Sequence, residues 1–75
     1  MANFPGVTGP EAIRAFERVG FRHVRTNGSH FILKRAGHRM VLSVPVHGKK
    51  ALGVGLLKKL IHDAGMTVEE FLSAL

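Results

Sequence analysis

The 75-residue chain contains no cysteine. Neither a disulfide framework nor a thiolate metal site can hold it together, so an apolar core must do so. Acidic residues are scarce: five Asp and Glu stand against eleven Lys and Arg, a formal charge of +6 and a pI near 11.0. That balance suits a module that meets a polyanion, nucleic acid foremost. No apolar run is long enough to cross a bilayer, and the opening "MANFPGVTG" lacks the basic segment and apolar stretch of a secretion signal. A soluble, cytoplasmic protein with no membrane partner is expected. No internal repeat, low-complexity tract or linker divides the sequence, so residues 1–75 are read as a single domain. A core of this size gives about 3–5 kcal/mol, and such a domain gains from a partner.

What is present organises into helices and strands. In "TGPEAIRAFERVGF" Thr8 and Glu11 have capping-box spacing and Pro10 stands in the first turn. Ala12, Ile13 and Phe16 form the apolar stripe and Gly20 is placed to end the helix, predicting a helix over about residues 9–19. Two runs follow, over about residues 21–26 and 29–36, joined by Asn27-Gly28, the preferred pair for a two-residue type I′ turn. A second turn signal, "AGHR", precedes "MVLSVPV", a third strand that Pro45 assigns to a sheet edge. The Gly- and Lys-rich "HGKKALGVG" reads as a loop. Leu57, Leu60, Ile61 and Ala64 then give the stripe of a second helix ended by Gly65. Thr67 and Glu70 form another capping box, with Met66 and Phe71 at staple positions, for a short helix over about residues 68–74. The expected class is α+β: αβββα with an added terminal helix, a three-stranded antiparallel sheet and the helices on one face.

Alternation along the strands then places the side chains. With Asn27-Gly28 as the first loop, Arg25 faces His30 and Val24 faces Phe31. With Gly37-His38 as the second, Leu33 faces Leu42, Phe31 faces Val44 and His30 faces Pro45. Val24, Phe31, Leu33, Met40, Leu42, Val44 and Val46 gather on the core face. Arg25, His30, Ile32, Lys34, Ser43 and His47 gather on the open face, with His47 diagonal to His30 at about 7–8 Å.

A strand histidine is commonly a hydrogen-bonded structural residue. Here a basic open face offers it no core role. RNA carries its own nucleophile, so its cleavage requires a base for the 2′-OH, a donor for the 5′-leaving oxygen and cations for the phosphorane. His30 as base or acid with Arg25 on the phosphate is a minimal site of this kind, needing neither metal nor cofactor. His47 or Lys34 could add a proton donor or charge. Lys49 and Lys50 precede the free N–H groups of the second helix and suit a phosphate, although a solvated loop explains them equally well. Arg14 and Arg18 read as ordinary surface charge, His38 as a turn residue and His62 as exposed. No histidine spacing matches a metal motif.

The run "GFRHVRTNGSHFILKR", followed by "VPVHGKKALGVGLLKKLIHDAG" and "TVEEF", resembles the HicA (YcfA-like) family of bacterial toxins. That family has the pattern G-F-x-x-x-R-x-x-G-S-H and then V-P-x-H, and the match spans roughly residues 10–71. The resemblance implies a double-stranded-RNA-binding-domain-like fold and an mRNA interferase, an endoribonuclease toxin of a type II toxin–antitoxin system. The histidine of G-S-H, here His30 after Gly28 and Ser29, corresponds to the catalytic one. Arg25, Pro45 and His47 are the other matching positions. A HicB-like antitoxin is implied as partner, covering the active site of a toxin that is monomeric alone and hetero-oligomeric with it. Leu56 departs from the pattern, which often has Thr there. Two rival readings are a non-catalytic double-stranded-RNA-binding module and an interaction protein that docks a partner on its open sheet face.

Overall fold

A computed structural model of the protein describes residues 5–75, so the opening four residues of the N-terminal reading lie outside the described part. The element order is α1 (Gly9–Arg18), β1 (Arg22–Asn27), β2 (His30–Lys34), β3 (Leu42–Pro45), α2 (Val54–Asp63) and α3 (Val68–Ala74). The three strands form one antiparallel sheet in the order β1-β2-β3. This is the α+β, αβββα architecture of the double-stranded-RNA-binding type, with a third helix added.

Helix α1 begins where its caps dictate. Thr8 N–H donates to Glu11 Oε1 at 2.9 Å and Glu11 N–H donates to Thr8 Oγ1 at 3.3 Å. The bond from the Thr8 backbone, with the Thr8 hydroxyl, holds the Glu11 carboxyl below its ordinary range. Gly9 lies so close to the end of β3 that a Cβ there would stand 2.4 Å from the Pro45 carbonyl oxygen. Helix α2 starts from Gly53 without a side-chain cap, as the departure at Leu56 suggests, and closes at Gly65 with φ +74°. Helix α3 carries the full Thr67–Glu70 capping box.

Helices α1 and α2 pack on β3, and α3 packs on both. Phe16, Phe21, Phe71, Leu33, Leu42, Leu57, Ile61 and Val44 are the largest fully buried side chains. The Phe16 ring lies 5.2 Å from Phe71 and 6.1 Å from Phe21.

The register of the second hairpin is as the strand logic places it, with His30 opposite Pro45, Phe31 opposite Val44 and Leu33 opposite Leu42. Its turn is not. The chain reverses at Ala36-Gly37, where His38 N–H donates to the Arg35 carbonyl at 3.0 Å, and residues 39–41 stay outside the strands. Met40 therefore sits in the loop, 43% exposed, instead of in the core.

The first hairpin departs more. Asn27 pairs with His30, so Gly28-Ser29 is the two-residue turn and Asn27-Gly28 is not. Gly28 has φ +58° and no residue other than glycine has positive φ among the described residues. A type I′ turn needs two such positions, whereas a type II′ turn needs one, filled by Gly at its first centre. Between His23 and Arg25 the ladder is broken by a bulge. Val24 falls in it and is 49% exposed, and the place opposite Leu33 goes to His23, which is itself exposed.

Candidate active site on the open sheet face

His30 is the first residue of the middle strand, held between Asn27 on β1 and Pro45 on β3. Its ring is exposed and makes no hydrogen bond or ion pair among the described residues. The turn beside it is stitched to the residue after β3 by a bond from Val46 N–H to the Ser29 carbonyl, 2.7 Å long. A histidine at this place is held by its backbone while both ring nitrogens remain available.

Arg25 shares the face with His30 but is not its partner across the ladder. It stands opposite Ile32, one step along the diagonal, at a spacing of about 7–8 Å between backbones. The predicted direct pairing is corrected to Asn27, a residue that sequence reasoning assigned to the turn. Because the turn centre moves by one residue, each partner on β1 moves by two, and Arg25 keeps its face. Arg25 too has no polar partner among the described residues. Ile32 is 7% exposed between Arg25 and Ser43, and Lys34 continues the same face at the far end of β2.

The face is not open on every side. His30, Val41, Ser43, Pro45, Leu56, Lys59, Leu60 and Asp63 line one groove of about 310 Å³. Its lining joins the outward residues of β3 to α2, so the helix reaches past the edge strand and walls that side. Lys59 and Asp63 form an ion pair of 2.8 Å on the wall, with Lys59 largely exposed. Sequence reasoning missed this pair. Its signal was available in the i,i+4 spacing beside the buried stripe of Leu57, Leu60 and Ile61.

The remaining candidates lie elsewhere. His47 follows the end of β3 in an exposed turn, where Lys50 N–H donates to the His47 carbonyl at 3.0 Å, and it does not line the groove with His30. Lys49 and Lys50 are exposed in the same loop, which is tied to the start of α1 by the Thr8–Ala51 bridge and a 2.7 Å bond from Leu52 N–H to the Val7 carbonyl. Gly28 and Ser29 form the turn that presents His30.

His38 is a turn residue, as expected, and also a tie. Its Nε2 lies 2.6 Å from the Asp63 carbonyl oxygen and its ring packs edge-on to Phe21. No cluster of three or more metal-binding side chains occurs among the described residues.

Residues 9–66 match the family model described as HicA toxin of bacterial toxin-antitoxin. The chain belongs to the HicA toxin family. Membership makes it the toxin half of a toxin–antitoxin pair, with an antitoxin as its partner. No curated protein is similar enough to count as a match. No helix among the described residues is long and apolar enough to cross a membrane.

Proposed function

We propose that this HicA-family protein is an endoribonuclease that cuts mRNA without a metal, using His30 for proton transfer. The observation that carries this reading is an exposed imidazole without polar partners, fixed at the head of a middle strand beside a groove. Such a ring can take the proton of a 2′-OH as the oxygen attacks phosphorus, or deliver one to the departing 5′-oxygen. Arg25 on the diagonal supplies positive charge for the phosphorane, whereas Lys59 on the groove wall is already paired with Asp63. Asn27 and Ser29, flanking the ring across and along the chain, offer hydrogen bonds to the sugar. A HicB-like antitoxin silences the site by covering this face.

The test is cleavage of mRNA in EDTA by the wild type and by His30→Ala. The variant should bind RNA and lose about 10²–10⁴-fold in rate. Because His30 is exposed, its melting temperature should be unchanged. Undiminished cleavage by the variant, or cleavage that EDTA abolishes, removes the proposal. A wild type that binds duplex RNA in a salt-dependent way and never cuts would favour the binding-module reading.

A further inference from the structure

The bulge in β1 decides which residues face outward at the far end of the sheet. If pairing ran without a break from Arg25 opposite Ile32, Val24 would lie opposite Leu33 and His23 would lie opposite Lys34. The observed ladder instead sets His23 opposite Leu33, stacked 4.7 Å from the Phe31 ring, and Arg22 opposite Lys34. Val24, in the bulge, is 49% exposed. The chain thus moves Val24 out of the ladder and places two cations directly across from each other.

That arrangement runs against sheet stability, since like charges opposite one another repel. No acid relieves it, because Arg22 and Lys34 have no polar partner among the described residues. Bulges commonly re-aim side chains near functional sites. The pair lines a hollow of about 300 Å³ with His23, Val24, Arg35 and Ala36. Lys34 and His30 point to the same face four residues apart, a distance of about 13 Å along the strand.

We propose that Arg22 and Lys34 form a second phosphate-binding subsite for a single RNA strand running along β2, a few nucleotides from the phosphate cut at His30. This rests on the ribonuclease reading above and extends it to the length of strand the protein holds. RNA is favoured over an acidic protein surface because the cations follow one line with His30: Arg25 stands between the pair and the ring. A chain carrying one charge per repeat matches such a line.

The test uses Arg22→Gln/Lys34→Gln, with Arg14→Gln/Arg18→Gln on α1, which line neither hollow, as a charge-matched control. Binding is measured on the His30→Ala background with a single-stranded oligonucleotide across a range of salt. Removing two phosphate contacts should make the slope of log K against log salt shallower by about 1.4, at about 0.7 per phosphate. In the active protein the double variant should raise KM for long RNA several-fold and leave kcat alone. A dinucleotide, too short to reach the pair, should be cut equally by both. The fold is checked by thermal unfolding, where relief of repulsion should leave the variant at least as stable as the wild type.

An unchanged slope and KM overturn the subsite and leave the ribonuclease reading standing. A wild type that neither binds nor cuts RNA overturns both. Binding of an oligoglutamate peptide in preference to RNA, lost in the double variant, assigns the pair to an acidic protein surface and overturns the proposal.

Discussion

The Nη2 of Arg35 lies 3.1 Å from the Nδ1 of His38. A guanidinium can only donate, so Nδ1 accepts and the imidazole proton sits on Nε2, which donates to the Asp63 carbonyl. Arg35 Nη1 also donates to the Val19 carbonyl at 3.0 Å, and the guanidinium lies 4.7 Å from the centroid of Phe21. One side chain thus ties the end of α1 to the β2–β3 loop, and His38 carries the tie to the last turn of α2, the helix that walls the groove.

His38→Ala removes both bonds and should cost about 1–3 kcal/mol. For a domain of this size each kcal/mol lowers the melting temperature by about 4–8 °C. His62→Ala, on the exposed side of the same helix, should change stability by no more than about 0.5 kcal/mol. Thermal unfolding followed by circular dichroism separates the two, and equal melting temperatures would remove His38 from the scaffold.

Gly9→Ala forces a Cβ to within 2.4 Å of the Pro45 carbonyl and 3.1 Å of the Val46 Cα. Backbone cannot yield as a side chain can, so a loss of about 1–3 kcal/mol is expected. Because Pro45 is the partner of His30, RNA cleavage should fall too. Gly55→Ala meets nothing within 4 Å, and in a helix should add about 0.5–1 kcal/mol. Denaturant titration of both variants checks the opposite signs.

Phe71→Ala should leave most of the chain unfolded. Its ring is fully buried against Phe16, and removing such a side chain costs about 3–5 kcal/mol, comparable with the whole stability of so small a domain. The family match stops at residue 66, yet the core does not. Native far-ultraviolet dichroism and a sharp thermal transition in this variant would show α3 to be dispensable.

Much of this was legible in the sequence because it rests on local rules. Thr8–Glu11 and Thr67–Glu70 announce two helix starts, and the stripe from Leu57 to Ala64 gives the buried face of α2. Strand alternation placed His30 outward whichever turn was used. The first hairpin is ambiguous in sequence because Asn-Gly and Gly-Ser are both sound turn pairs, and "NGSH" contains each in consecutive frames. The bulge at Val24 has no local signature, since it arises from fitting β1 to the sheet while His23 stacks on Phe31. Nor did the periodicity of α2 say that it would reach beyond β3. Such packing depends on where elements lie, and His38 takes its part in it through Asp63, remote in sequence, with Arg35 three residues away on its other ring nitrogen.

A single left-handed residue therefore acts as a selector for the company His30 keeps. With the reversal centred after Gly28, the neighbour across the ladder is a neutral amide, and a guanidinium waits one diagonal away. Centring it one residue earlier would exchange them without turning the imidazole inward. Relatives that vary only this bend would tune the electrostatics of the same ring.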